Sequence, residues 1–299
     1  MHKLWEKSTA YNVFKAYVDL CTRTSFRKFR IEGKENIPYG VPVIFASNHR
    51  AALMDPLVLL VKGKDPISYG CRADLFRKPW ANKALRWLRI VPLARERDGM
   101  KAVAGNAETF NEVTECLLHG VPFCLYVEGT HFPDREMHPV KKGVFRIAEQ
   151  TAENTGDPVY IVPVGLDYES FHDFMRDCTV RFGEPICTSD LKGLSSIEMC
   201  ELLRGRVREL FSAEEPSRKR GNIVLRILLG AVLSPIFAVC FVASSPILLV
   251  TWLLTRKLED KAWMNTIRFA CRLPLIVLWP FHSLFYLLKN FYSDIFKDL

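Results

Sequence analysis

The sequence lacks the cysteine patterns that mark zinc sites and disulfide frameworks. Its nine cysteines are an odd number, and none of them forms a CxxC pair or a Cys/His cluster at zinc spacing. Most lie inside apolar runs, as Cys124, Cys187 and Cys240 do. We therefore expect buried thiols in a reducing compartment.

Several other signals are absent as well. The opening stretch "MHKLWEKSTAYNVF" has no continuous apolar region and no cleavage site, so we expect no secretory signal. No internal repeat and no nucleic-acid-binding motif is visible, and we expect no nucleic-acid partner. The net charge is +8, which favours anionic partners such as phosphorylated molecules or an acidic membrane face. With 299 residues and 49% hydrophobic content, the chain can bury one sizeable core with an appended module.

Short apolar segments with Pro or Gly at their edges alternate with longer helical patterns. This alternation predicts an α/β domain with a mixed, mainly parallel sheet and flanking helices. The predicted strands are 41–46, 66–72, 121–127, 159–166 and 178–183. The predicted helices between and after them are 56–62, 74–89, 101–118, 142–154 and 196–211.

The chain divides into three predicted parts. Residues 1–30 mix apolar, aromatic and basic positions, which suits amphipathic helices that either lie on a membrane surface or pack on the following domain. Residues 31–212 form the α/β domain. Residues 213–299 comprise a charged linker followed by apolar, membrane-associated helices.

The apolar run at 227–255 contains no charged residue. Pro235 and the "SSP" at 244–246 offer places where a helix could break, and basic residues flank both ends of the run. If positive charge marks the cytoplasmic side, a hairpin satisfies both flanks and a single span does not. The second segment, 273–288, contains two prolines and is predicted to be re-entrant or interfacial.

Two polar loops follow predicted strands, at the strand ends where open α/β sheets bind ligands. In "SNHRAALMDP", His49 could act as a general base and Asp55 could fix its tautomer. Residues six apart on a continuous helix point in different directions, so the pair can meet only if the intervening chain is not plain helix. Asp55 followed by Pro56 is also typical of a helix start, with Asp as the N-cap.

The second loop is "EGTHFPD". Glu128 ends an apolar strand, Gly129 allows close backbone approach, and Thr130 offers a hydroxyl. A cationic cluster suited to phosphate follows, although a solvated basic helix face has the same composition. Its members are Arg135, Lys141, Lys142 and Arg146. In "VPLARERDG", Arg95 and Arg97 could also clamp a phosphate.

Taken in order, these blocks resemble the glycerolipid (PlsC-type) acyltransferase family. The resemblance covers roughly residues 30–190. It is strongest in "VIFASNHRAALMDPL", "VEGTH", "KKGVFRIA" and "VYIVPVGLDY".

The resemblance implies that His49 deprotonates an acceptor hydroxyl, which attacks an acyl thioester directly, and that Asp55 supports His49. It assigns glycerol-phosphate binding to the blocks that contain Arg95, Glu128, Gly129, Thr130, His131 and Lys141. The block around Pro163 is linked to structure or to acyl-donor binding. The resemblance implies no metal and no prosthetic group. Acyl-CoA or acyl carrier protein is the implied co-substrate.

Three departures from the family pattern stand out. Five residues separate His49 from Asp55, where four are commonest; the longer spacing resembles a bacterial and fungal branch. Val127 replaces the usual Pro before Glu128. His131 stands where the family usually has Arg, and Arg135 or Lys141 could compensate for it.

The expected activity is O-acylation of a lysophospholipid or glycerol phosphate in phospholipid biosynthesis. The reaction expected first is the conversion of 1-acylglycerol-3-phosphate to phosphatidic acid. The alternatives are a phospholipid–lysophospholipid transacylase and a non-catalytic membrane lipid-binding protein. Membrane lipids are the expected partners. The catalytic domain is expected on the cytoplasmic face of a membrane, which would be the inner membrane in a bacterium.

Overall fold

The computed structural model describes residues 3–63, 65–95, 98–100, 104–212 and 222–297. Arg97 and the predicted linker residues 213–221 lie outside these ranges. The strands are β1 Phe29–Glu32, β2 Val43–Ser47, β3 Ser68–Arg72, β4 Ile90–Leu93, β5 Phe123–Tyr126, β6 Tyr160–Tyr168, β7 Cys178–Phe182 and β8 Ile186–Cys187. The α-helices are α1 Thr9–Arg23, α2 Met54–Leu60, α3 Pro79–Trp87, α4 Asn106–Leu118, α5 Gly143–Thr155, α6 Ser196–Arg208, α7 Ile223–Thr255, α8 Met264–Arg272 and α9 Trp279–Phe296.

The strands form one mixed sheet in the order β1-β7-β6-β2-β5-β3-β4, with β8 paired to β6. Strands β6, β2, β5, β3 and β4 are parallel to one another. Strand β7 runs antiparallel to β6, and β1 is parallel to β7. The mainly parallel α/β fold predicted from the sequence is confirmed.

Alternation along the strands places a hydrophobic core on each face of the sheet. In β2, Ile44 and Ala46 pack with α4, α5 and α6 on one face. Val43 and Phe45 of the same strand pack with α1 and α2 on the other. The result is a three-layer sandwich in which β2 is fully buried at the centre of the sheet.

The N-terminal segment contributes one helix and one strand. Helix α1 buries Val18 and Cys21 in the core, while Val13, Phe14 and Leu20 are exposed. Strand β1 begins at Phe29, so the sheet starts just inside the part assigned to N-terminal helices. The helix therefore packs on the domain and also keeps an exposed apolar face.

The apolar run does not break at its prolines. Helix α7 is continuous over 33 residues, with Pro235 and Pro246 inside it. Each proline lacks the N–H that would bond to the carbonyl four residues earlier. The serine before each proline donates its hydroxyl hydrogen to that carbonyl instead. Ser234 Oγ donates to the Ala231 oxygen at 2.8 Å, and Ser245 Oγ donates to the Val242 oxygen at 2.7 Å. The expectation of a break at these prolines is wrong for this reason.

The hairpin is formed instead by α7 and α9, which pack antiparallel. The Tyr292 hydroxyl donates to the Gly230 oxygen at 2.6 Å near one end, and the rings of Phe237 and Phe285 stack at 5.3 Å farther along. Helix α7 is long and apolar enough to cross a membrane, and only a small part of its apolar window is buried. Helix α8 and residues 276–296 form a pair bent by 111°, which could count as a second, broken span.

Polar contacts from helices α8 and α9 hold the apolar helices against the α/β domain. The Arg272 guanidinium donates to the Thr24 carbonyl at 2.9 Å, and the Asn290 amide donates to the Phe174 carbonyl at 2.8 Å. Arg176 and Asp294 form an ion pair at 3.0 Å. The apolar helices are therefore part of the folded body beside the sheet.

Candidate active site

The two polar loops meet because their strands are neighbours in register. Ser47, the last residue of β2, pairs with Tyr126, the last residue of β5. His49 and Glu128 each follow two residues later, so they emerge side by side from the carboxyl edge of the sheet. The Glu128 carboxylate accepts the His49 backbone N–H at 2.8 Å.

A tight turn brings His49 and Asp55 together. Residues 49–53 are not helical, and Ala52 has a φ of 45°, which reverses the chain direction. His49 Nδ1 lies 2.5 Å from Asp55 Oδ2. The chain between His49 and Asp55 is therefore not a continuous helix, as helix periodicity requires if the two side chains are to meet.

The Asp55 carboxylate is fully buried and surrounded by donors. Its Oδ2 accepts the backbone N–H groups of Arg50 at 2.7 Å and Ala51 at 3.0 Å, and its Oδ1 accepts the Tyr168 hydroxyl at 2.7 Å. Burial, reinforced by the charge of Asp55, raises the pKa of the Tyr168 hydroxyl well above its ordinary value, so this hydroxyl stays protonated and donates.

These contacts determine the tautomer of His49. Because the Asp55 carboxylate accepts only, the His49 Nδ1 carries the hydrogen and its Nε2 keeps a lone pair. The ring also stacks on Tyr126 at 4.2 Å, which holds its plane, and the side chain is 17% exposed. An imidazole that is oriented by a carboxylate and partly exposed is the arrangement of a general base.

The helix after this turn begins earlier than predicted. Helix α2 starts at Met54 instead of residue 56, and its N-cap residue is Leu53. Asp55 therefore lies in the first turn, and its side chain accepts N–H groups of the preceding turn. It supports the chain before the helix and holds His49 at the same time.

Glu128 forms a buried ion pair with Arg50. Nη1 of Arg50 lies 3.0 Å and 2.9 Å from the two carboxylate oxygens, and the two side chains are 1% and 0% exposed. The His138 backbone N–H also donates to Glu128, at 3.0 Å. In the structure Glu128 thus positions the loop that carries His49, and the substrate-binding role implied for it stays a prediction.

The rest of the "EGT" block forms a turn beside the site. Gly129 has a φ of 74°, and a Cβ there would lie 3.4 Å from Cγ of Lys141. Thr130 is half-buried and Lys141 is exposed. Arg135 is engaged elsewhere, because its guanidinium donates to the carbonyls of Tyr168 and Glu169. Lys141 is therefore the better placed of the two cations suggested as compensation for His131.

Arg95 lies farther along the sheet edge. It follows β4, which is separated from β5 by β3, about 14 Å from β2 at the usual strand spacing. Its side chain contacts Asp98 at 3.4 Å. The structure does not bring Arg95 against His49 in the described part of the chain, and its phosphate-binding role stays a prediction.

Sequence reasoning missed three residues that build the site. The Asn48 side chain both donates to and accepts from the Leu166 backbone, at 3.0 and 2.7 Å, and so clips the loop to β6. Arg50 and Tyr168 hold the two carboxylates. Asn48 and Arg50 flank His49 directly, and Tyr168 ends a quoted block, but no local pattern reveals their partners.

His131 is half-buried and lies beside the His49–Asp55 pair. Its ring meets that of His49 edge-on, with centroids 5.5 Å apart. The structure therefore places His131 beside His49, and the substrate-binding role implied for His131 stays a prediction.

The chain is similar to known acyltransferases. The family model described as Acyltransferase matches residues 28–167. The chloroplastic 1-acyl-sn-glycerol-3-phosphate acyltransferases LPAT1 of Arabidopsis thaliana and BAT2 of Brassica napus are 31% and 30% identical over 142 residues. These 142 residues are 47% of this chain but only 36% and 38% of those proteins, so the chain spans little more than a third of their length.

The crystal structure of PlsC, the 1-acyl-sn-glycerophosphate acyltransferase from Thermotoga maritima, superposes with a TM-score of 0.49 and 23% identity. The superposition covers 67% of this chain and 79% of that one. His49, Asp55 and the "EGT" loop all lie inside the segment that the family model matches. The similarity to the Acyltransferase family model is therefore located in the part of the chain that contains the candidate site.

Proposed function

We propose that the chain is a membrane-associated O-acyltransferase. It transfers a fatty acyl group from acyl-CoA or acyl carrier protein to the free hydroxyl of 1-acylglycerol-3-phosphate. The observation that carries this proposal is the His49–Asp55 pair, with Nδ1 held at 2.5 Å and the imidazole partly exposed. A lipid-binding protein needs no oriented base. The names of the relatives supply the substrate class.

The chemistry follows from the geometry of the pair. His49 Nε2 takes the proton of the acceptor hydroxyl as its oxygen bonds to the thioester carbonyl carbon. The tetrahedral intermediate collapses with cleavage of the C–S bond, and His49 returns the proton to the departing thiolate. The Asp55 carboxylate, held by three further donors, stabilises the transient imidazolium. No acyl-enzyme forms.

The position of the helices supports action at a membrane. Helix α7 exposes many apolar side chains and ends at Thr255, a few residues before the segment that contacts His131. An apolar span that ends beside the catalytic pair would hold the site at the interface, where both substrates present their headgroups. We place the domain on the cytoplasmic face, with Arg256 and Lys257 at this end of α7.

A direct assay tests the proposal. The full chain, purified in detergent, is incubated with acyl-CoA or acyl carrier protein and a panel of hydroxyl acceptors, and the products are identified by mass. We expect phosphatidic acid from 1-acylglycerol-3-phosphate, dependent on an added thioester. Product formation from phospholipid donors without a thioester would identify a transacylase instead. No product from folded protein would contradict the proposal.

Replacing Tyr168 with Phe is expected to lower kcat by roughly 3- to 10-fold, because Asp55 loses one buried hydrogen bond of about 1 kcal/mol. Steady-state kinetics measure the change. Tyr160→Phe, on the same strand, is the matched control and should leave kcat unchanged. An equal loss in both variants would show that the Tyr168 hydroxyl does not support the base.

A further inference from the structure

A second His–Asp pair lies beside the first. His131 Nε2 is 2.6 Å from Asp260 Oδ2, and the same imidazole meets His49 edge-on at 5.5 Å. Asp260 belongs to the segment between α7 and α8, well beyond the residues that the family model matches. Trp263, from the same segment, packs its ring edge-on against His131 at 6.4 Å. The C-terminal part of the chain thus reaches the catalytic pair.

The hydrogen bond orients His131. A carboxylate only accepts, so Nε2 of His131 carries a hydrogen and donates it to Asp260. The two nitrogens of an imidazole direct their hydrogens to opposite sides of the ring, so Nδ1 points away from the carboxylate. A nearby anion favours the cationic imidazole, in which Nδ1 also becomes a donor.

The carboxyl group of Asp260 is suited to this role. Burial raises its pKa, but the His131 hydrogen bond, the Ala262 backbone N–H and the His131 charge together outweigh burial and leave the pKa below its ordinary value. Asp260 therefore remains an anion at neutral pH. Its second oxygen, Oδ1, accepts the Ala262 N–H at 3.0 Å, which leaves Oδ2 for His131.

We propose that Asp260 is a positioning residue that pairs with His131 and orients its imidazole, with Nδ1 presented to the phosphate of the acyl acceptor. This inference rests on the proposed function, since it requires a phosphate-bearing acceptor at His49. It explains how a histidine can replace the arginine usual at this position: the charge that arginine carries at any pH is supplied here by a histidine paired with a carboxylate. It also makes the C-terminal segment a part of the active site.

The test is Asp260→Asn in the full chain. Asparagine keeps an oxygen for the Ala262 N–H and is an equally good cap for the helical turn that follows, so the substitution mainly removes charge. We expect the KM for 1-acylglycerol-3-phosphate to rise about 10-fold near neutral pH, with a smaller change in kcat. The KM for 1-monoacylglycerol, which has no phosphate, should not change.

A matched control lies in the same loop as His131. Asp134 accepts from His138 Nε2 at 2.9 Å, its Oδ1 accepts the Glu136 backbone N–H, and its side chain is 44% exposed against 46% for Asp260. Asp134→Asn therefore removes a comparable His–Asp pair that does not involve His131, and it should leave the KM unchanged.

Arginine at position 131 supplies the rescue. In a His131→Arg background the positive charge no longer depends on a carboxylate, so Asp260→Asn should have little further effect on the KM. An unchanged KM in Asp260→Asn, or an equal rise for both acceptors, would overturn the role of Asp260. A wild-type chain that acylates no phosphate-bearing acceptor would instead overturn the proposed function.

Discussion

Replacing His49 with Ala is expected to lower kcat for acyl transfer by about 10²- to 10⁴-fold, the usual contribution of a general base. The neighbouring imidazole of His131 cannot take over, because it presents Nε2 to Asp260 and is not oriented by Asp55. The His49 backbone N–H still donates to Glu128 in the variant. The loop should therefore keep its shape, and the loss should appear in kcat more than in KM.

The comparison for this variant is His119→Ala. His119 follows α4, at the end of the sheet opposite the catalytic loops, and its ring stacks on Trp5. Both proteins are assayed in the same detergent, and circular dichroism checks that each is folded. Near-normal turnover by His49→Ala would refute the base mechanism. Equal losses in the two variants would point to a general defect.

Replacing Glu128 with Ala is expected to destabilise the folded chain by about 3–5 kcal/mol. The variant leaves the Arg50 guanidinium buried without its carboxylate, and it removes the acceptor for the N–H groups of His49 and His138. The Arg50 guanidinium also donates to the Glu136 carbonyl and lies over the Phe211 ring, so it cannot easily turn towards solvent. Chemical denaturation measures the loss.

Glu136→Ala is the control for that measurement. Glu136 is exposed in the same loop, and only its backbone carbonyl contacts Arg50, so its stability should change by no more than about 0.5 kcal/mol. Arg50→Met combined with Glu128→Leu should recover part of the stability, because no buried charge remains unpaired. If Glu128→Ala were as stable as Glu136→Ala, the ion pair would not hold the loop.

The sequence predicted the central strands well and missed the short ones. Strands β2, β3, β5, β6 and β7 appear within two residues or so of their predicted bounds, because each is an apolar run with Pro or Gly nearby. The missed strands are β1, β4 and β8. Strand β1 alternates charged and apolar residues in only four positions, and β8 has two residues, so neither has a pattern that stands out.

The prolines of α7 show a different limit of prediction from sequence. A proline is expected to break a helix because it has no N–H to donate to the carbonyl four residues earlier. That expectation holds only if no other group donates to this carbonyl. Here a serine precedes each proline and donates to the freed carbonyl. The Ser-Pro pairs were visible in the sequence, but their effect depends on the rotamer that each hydroxyl adopts.

By itself the sequence determined the mainly parallel α/β fold, the pair His49 and Asp55 as candidates, and the "EGT" loop as their neighbour. These signals are local: apolar runs, turn residues and polar residues at strand ends. Tertiary structure alone decided that the turn at Ala52 brings His49 and Asp55 together, that Glu128 forms an ion pair with Arg50, and that Asp260 contacts His131. Such contacts join residues up to 129 positions apart, and only strand order and helix docking bring them to one edge of the sheet.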